Sequence, residues 1–384
     1  MSNSDLPKGW RECRLGEIST DISYGYTASA TFENTGTKFL RITDIVPSRI
    51  NWGNVPFCEV DELKKEKYKL DVGDLVIART GATTGYNKII KDSKDAIFAS
   101  YLIRYKLDKS IVIPNYIGYY LQSEIWDGFV EGIKGGSAQP GANAKQFASF
   151  EINLPPLAEQ KAIAEVLSSL DDKIDLLHKQ NQTLEDMAQT LFREWFIEKA
   201  DEGWEDSSLG DVVEIFDNKR VPLSKMKRDK MKDGKLYPYY GAAKIMDYVN
   251  DYIFEGEYIL MGEDGTVKTD DGYPILQYAT GKFWVNNHTH VLKAKEPFSN
   301  YFIWNYLLNK NIEKIVTGAV QPKINQTNLK ALDFPKYPLE LVREFNCQSQ
   351  YLVEKIQQNK KQIKTLEQTR DTLLPKLMSG QVRV

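Results

Sequence analysis

The second half of this 384-residue chain repeats the order of features in the first. Gly136-Ser137-Ala138-Gln139-Pro140-Gly141-Ala142-Asn143 returns as Gly318-Ala319-Val320-Gln321-Pro322-Lys323-Ile324-Asn325, 182 residues on. Thr183-Leu184-Glu185 returns as Thr365-Leu366-Glu367 at the same offset. Trp10…Leu15-Gly16-Glu17-Ile18 matches Trp204…Leu209-Gly210-Asp211-Val212 at an offset of 194, and Gly73-Asp74-Leu75-Val76-Ile77 matches Gly256-Glu257-Tyr258-Ile259-Leu260 at 183. The order is kept while the front of each repeat changes length. Such a duplication points to a pseudo-dimer in one chain, suited to a partner or ligand with two-fold character.

Each repeat ends in a long helical pattern. Ile163, Leu167, Leu170, Ile174, Leu177, Asn181, Leu184, Ala188, Leu191 and Trp195 are spaced 4-3-4-3, the seam of a coiled coil. The same positions 182 residues on are Phe345, Ser349, Leu352, Ile356, Asn359, Ile363, Leu366, Arg370, Leu373 and Leu377. Pro155-Pro156 and Pro338 fit helix starts, Gly203 and Gly380 fit stops, and Pro375 predicts a kink. The front of each repeat carries short β-rich runs, such as Lys38–Ile42 and Leu75–Ala78, separated by glycine turns. Helical stretches follow at Asn115–Gly128 and Ser299–Leu308. The fold class expected is α+β: two globular parts joined by two long antiparallel helices, with internal pseudo-two-fold symmetry. The boundaries expected are 1–155 and 203–337 for the globular parts, 156–202 and 338–380 for the helices, and 381–384 for a tail. A helix of roughly 40 residues at 1.5 Å each would set the globular parts about 60 Å apart.

No apolar run approaches a membrane span, and Met1–Trp10 is too polar for a signal peptide. Cys13, Cys58 and Cys347 are scattered and odd in number, which favours a reducing cytoplasm and argues against disulfides or a zinc site. A net charge of −3 excludes a uniformly basic nucleic-acid binder, so any DNA contact must come from local patches.

The segments Leu154-Pro155-Pro156-Leu157-Ala158-Glu159-Gln160 through Leu170-Asp171-Asp172-Lys173-Ile174, and Leu373-Leu374-Pro375-Lys376-Leu377-Met378-Ser379-Gly380, carry a family resemblance, joined by Gly136–Asn143 and Asp74–Gly81. In their duplicated order they resemble the specificity subunit of a type I restriction-modification system, across essentially the whole chain. The resemblance implies two target recognition domains, each reading half of a split DNA sequence. It implies a helical spacer that holds two methyltransferase subunits, with restriction and translocase subunits as further partners. It also implies a non-catalytic chain without its own cofactor, S-adenosylmethionine being bound by the methyltransferase. One departure stands out: Tyr337-Pro338-Leu339-Glu340-Leu341-Val342 replaces the first repeat's Leu-Pro-Pro-Leu and Glu-Gln.

Asn218–Lys232 holds Lys219, Arg220, Lys225, Lys227, Arg228, Lys230 and Lys232 against Asp229, an excess of +6. It reads equally as a phosphate-contacting segment or a solvated loop, and the adjoining Tyr237, Tyr239 and Tyr240 raise the first reading. Lys64–Lys69, flanked by acids, reads as a surface helix. Arg79-Thr80-Gly81-Ala82-Thr83-Thr84-Gly85 is a small-residue loop that could approach DNA, with Arg79 available for guanine or phosphate; the lysine of a P-loop is missing. Its counterpart, Met261–Thr266, has no arginine, so the two loops would read different bases. Gln139, Asn143, Gln321 and Asn325 could read adenine, yet amides kept in both repeats suit a shared structural turn better. The basic residues Lys134, Lys145, Lys244, Lys268 and Lys323 complete the DNA-contact candidates alongside Thr80, Thr83 and Thr84. For the spacer interface the candidates are Leu170, Ile174, Leu177, Leu184, Leu191, Ile356, Ile363, Leu366 and Leu373. His288 and His290 share one strand face; a metal pair is conceivable, but no carboxylate or cysteine stands at ligand spacing, which favours a structural histidine. Competing classes are a self-contained adenine methyltransferase, for which the cofactor and catalytic motifs are missing, and a coiled-coil protein scaffold.

Overall fold

The computed structural model describes residues 6–92, 94–134, 141–199, 204–318 and 321–384. Gln139 and the expected stop at Gly203 lie outside these residues. The chain folds as two compact units, 1–176 with 362–384, and 177–361. The boundary falls inside both long helices, Leu157–Arg193 and Leu339–Met378.

In the first unit an antiparallel sheet runs in the order Ser19–Tyr24, Leu102–Leu107, Leu75–Ala78, Asn87–Ile89. The Leu75–Ala78 strand is buried throughout, because it is central and covered on both faces. A second pair joins Arg11–Arg14 to Glu151–Leu154, the strand that leads into the long helix. The helical stretch expected as one piece is two helices, Pro114–Tyr120 and Glu124–Ile133. Lys38–Leu40 is a strand, paired in parallel with Ala96–Phe98, and Glu62–Tyr68 is the expected surface helix, capped by Asp61.

The second unit keeps this frame. Val213–Ile215, Thr289–Ala294 and Phe254–Gly262 form the equivalent antiparallel strands, and Asp206–Ser208 pairs with Asp333–Pro335 ahead of the second long helix. The sheet then extends through Leu276–Val285, Tyr237–Tyr240 and Ile245–Val249 to six strands. The repeated Leu-Gly pairs have one physical reason. A side chain at Gly16 would meet Ala148 at 3.1 Å, and one at Gly210 would meet Lys330 at 2.9 Å, each in a short helix packed close by.

Both units hold the long helices antiparallel. In the first, Asp171 pairs with Arg370 at 3.0 Å, and Glu159 with Arg383 at 2.7 Å. In the second, Asn181 meets Asn359 at 2.9 Å, and Phe192 packs on Phe345. Phe345, Ser349, Leu352, Ile356, Asn359 and Ile363 are all buried, as the 4-3 spacing requires. Ile174 and Leu177 are buried as well, whereas Leu170, Leu184, Leu366 and Leu373 are half-buried. The seam changes at the end of the first helix. Phe192 and Phe196 enter the core in place of Leu191 and Trp195, which pack at its margin. There the helix opens into a π turn, Glu194–Glu198, whose wider spacing breaks the heptad phase. The second helix continues past Pro375 to Met378 and ends at Gly380, φ +71°.

The replaced segment of the second repeat also has a structural account. Gln160 is buried, donates to the Ile111 and Pro155 carbonyls and accepts from the Ile113 N–H. Glu159 takes Trp10 and Arg383. In the second unit Val342 is instead fully buried and Leu341 packs against the aromatic core.

Candidate nucleic-acid interface

In both units the loop after the central strand is tied to the repeated Gln-Pro-x-x-Asn segment. Thr80 bridges Gly141 in the first unit, and Asp264 bridges Lys323 in the second. Asn143 and Asn325 follow these bridges as helix N-caps, accepting from the Gln146 N–H at 2.9 Å and the Asn328 N–H at 2.7 Å. Gln321 donates to Asp264 at 2.7 Å. These amides therefore hold the loops, the structural role favoured by their recurrence.

Backbone hydrogen bonds fix which loop residues correspond. The Arg79 N–H donates to the Tyr101 carbonyl and the Arg79 carbonyl accepts from Ala142. The Glu263 N–H donates to His288 and the Glu263 carbonyl accepts from Ile324. Arg79 thus corresponds to Glu263, and Tyr101 to His288. Tyr24 lies opposite Ile103. Continuing the second unit's register past Ile215 brings Asp217 opposite His290, so Tyr24 corresponds to Asp217.

The chemistry at these places is opposite. In the first unit the Arg79 guanidinium stacks on Tyr24, 4.9 Å from the ring centroid, and its Nε is buried without a hydrogen-bond partner. The Tyr24 hydroxyl accepts from the Ala144 N–H at 3.0 Å, which seats the ring against the capped helix. Tyr24, Tyr86 and Tyr101 are exposed around the loop. Sequence reasoning missed Tyr24 and Tyr101, which lie far from Arg79 along the chain. Thr84, by contrast, is buried and donates to the Gly81 carbonyl at 2.8 Å, closing the turn Gly81–Thr83. Thr83 donates to the Thr80 carbonyl. Lys134 pairs with Glu131, and Lys145 is exposed on the short capped helix. A cleft of about 440 Å³ beside the loop is lined by Thr84, Asn87, Lys88, Gln122 and Lys134 among others.

The second unit closes its equivalent place internally. Buried His290 meets the Asp217 carboxylate with Nδ1 at 2.6 Å and the Ile324 carbonyl with Nε2 at 2.8 Å. Asp217 also accepts from the Val291 N–H and the Gln326 amide. Burial alone would raise the Asp217 carboxyl, but His290, the Val291 N–H and Arg220 outweigh it and hold it below the ordinary range. Both ring nitrogens of His290 are thus engaged within the chain. Arg220 completes the cluster, paired with Glu263 and donating to the Thr289 carbonyl at 2.8 Å. Two carboxylates thus stand by the histidine, from segments no spacing rule connects. Asp217, Glu263 and His290 are close enough to surround an ion. These groups are already partnered within the chain: both ring nitrogens of His290 are engaged, and Arg220 pairs with both carboxylates. His288 is exposed, 3.5 Å from Asp264.

The basic segment divides in two. Arg220 belongs to the buried cluster, which corrects its reading as a phosphate contact. Arg228 receives the same correction: it pairs with Asp247 at 2.9 Å, donates to the Leu223 carbonyl and stacks on Tyr239. Lys232 also pairs with Asp247, and its ammonium, with Arg228 beside it, holds that carboxyl down at about 2. Tyr239 is buried, accepting from the Leu223 N–H, and half-buried Tyr240 packs edge-on to Phe283, so neither offers a stacking face. Lys219, Lys225, Lys227, Lys230 and Lys244 are exposed. Lys268 pairs with Glu313, and exposed Lys323 stands 3.9 Å from Glu263.

Two units with one frame and unlike loops define a duplicated recognition protein. A family profile described as the type I restriction modification DNA specificity domain matches residues 7–186 and 201–368. The chain belongs to this family: it is a type I DNA-specificity subunit, and its role is recognition rather than catalysis. It is similar to a putative type I restriction enzyme specificity subunit of Haemophilus influenzae, 39% identical over 151 residues, covering 39% of this chain and 38% of that one. It is 28% identical to the MjaIX specificity subunit of Methanocaldococcus jannaschii, over 80% of this chain and 78% of the relative. Its fold matches the S subunit of the type I system from M. genitalium, with a TM-score of 0.61 and 17% identity, covering 98% of this chain and 97% of that one.

Proposed function

We propose that the chain reads a bipartite, asymmetric duplex DNA target, one half with each globular unit. The observation that carries this reading is the correspondence of Tyr24, Arg79 and Tyr101 with Asp217, Glu263 and His288. One backbone frame carries an arginine stacked on an exposed tyrosine in the first unit and an internally paired carboxylate cluster at the matched place in the second, as two unequal half-sites require. Two units reading one face of B-DNA place the half-site centres about 10 base pairs apart. The exposed lysines Lys219, Lys225, Lys227 and Lys230 supply phosphate contacts to the second half-site. The long helices hold two methyltransferase subunits, which bind S-adenosylmethionine, and restriction and translocase subunits join that assembly in the cytoplasm. No helix among the described residues is long and apolar enough to cross a membrane.

Binding of the chain, assembled with its methyltransferase subunits, to duplex DNA across a salt series tests this reading. The expected result is affinity that falls steeply and linearly on a log–log scale as phosphate counterions are released. Affinity independent of salt would identify a protein scaffold instead.

A further inference from the structure

We infer that Arg79, held on the ring of Tyr24, reads a guanine in the half-site of the first unit. The inference rests on the proposed DNA reading and adds the base and the residue. Arg79 is placed before any ligand arrives. Its N–H is fixed by Tyr101 and its carbonyl by Ala142, each at 3.0 Å. Its guanidinium lies 4.9 Å from the centroid of Tyr24, whose hydroxyl is itself fixed by the Ala144 N–H. No carboxylate among the described residues pairs with it, and its Nε is the donor left buried without an acceptor. A planar fork of donors held rigidly matches the paired acceptors O6 and N7 of guanine in the major groove.

Phosphate is the competing target for an arginine, and the second unit argues against it. Both half-sites present the same backbone, so a cation kept for phosphate has reason to recur at the matched place. That place holds Glu263, whose carboxylate is engaged by Arg220. A contact that changes sign between matched loops is one that follows the sequence being read.

The test uses the full chain assembled with its methyltransferase subunits, as wild type, R79K and R79A. Each binds the target duplex and duplexes in which single guanines of either half-site are replaced by 7-deazaguanine. The wild type is expected to lose affinity at one guanine of the first half-site. R79K and R79A are expected to be indifferent to that replacement and to bind the unmodified target about 5- to 150-fold more weakly, the range of one bidentate pair. Penalties in the second half-site should be unchanged, which also shows that the variants fold. If R79K binds like wild type and keeps every 7-deazaguanine penalty, Arg79 contacts phosphate or serves only to pack Tyr24, and the inference is overturned. A wild type that binds all duplexes without salt dependence would instead overturn the DNA reading beneath it.

Discussion

Asn143 and Asn325 each accept a hydrogen bond from the backbone N–H three residues on, one in each unit. Their recurrence was legible in the sequence and favoured a shared structural turn, whereas the helix cap itself came from the structure. Asn325→Ala should cost about 1 kcal/mol of stability, read from denaturant midpoints, without altering base preference. The basic segment was legible only as a charge count. Which cations face inward depended on Asp247, 15 to 19 residues downstream on the last strand of the sheet. Asp247 therefore makes a pH prediction. Its folded value of about 2 lies below the usual carboxylate value of about 3.9, so its stabilisation is complete above that and fades as pH falls towards 2. Wild type should melt above D247N at neutral pH, the gap corresponding to about 1–3 kcal/mol, and the two should converge between pH 4 and 2. A gap that persists at pH 2 would show that the Lys232–Asp247–Arg228 contact is not its source. Neutralising Lys225, Lys227 and Lys230 should instead leave stability alone, weaken binding to specific and random DNA by similar factors, and lower the salt slope by about 3. An unchanged slope would mark the segment as a solvated surface.

At the scale of the element, the long helices followed their periodicity closely. The buried positions Phe345 to Ile363 are those of the 4-3 pattern, because a heptad seam depends on local spacing alone. The pattern failed after Ala188, where Phe192 and Phe196 join an aromatic cluster with Phe302 and Phe345 and the helix opens into a π turn at Glu194–Glu198. That choice was made by tertiary packing, which no single-helix pattern contains. Ile363→Ala should cost about 2–5 kcal/mol in thermal or denaturant unfolding, the range for a buried aliphatic truncated to alanine. Asn359 is a different kind of seam residue. Its amide donates to Asn181 and Gln180, both at 2.9 Å, and a buried polar pair of this kind fixes helix register. Asn359→Leu should leave Asn181 unpaired and destabilise the second unit by about 1–3 kcal/mol, and the double change with Asn181→Leu should recover much of that loss. A double variant no more stable than the single one would remove the pair from this account.

At the scale of the molecule, duplication was the strongest signal in the sequence, and the structure gives it a common frame: two paired strands at the entrance of each unit, three central strands, a capped short helix and a long helix. It could not reveal that Tyr24 corresponds to Asp217 or Arg79 to Glu263, because those matches are defined by strand register and loop hydrogen bonds, not by residue identity. They are nevertheless where the two units differ most in chemistry, and they carry the central claim that the units read unequal half-sites. Methylome sequencing of cells carrying this gene with its methyltransferase partner, compared with cells lacking it, tests that claim most directly. The account predicts methylation at a split motif, with two different short specified halves whose centres lie about 10 base pairs apart and unspecified bases between. A single continuous short palindrome would contradict it.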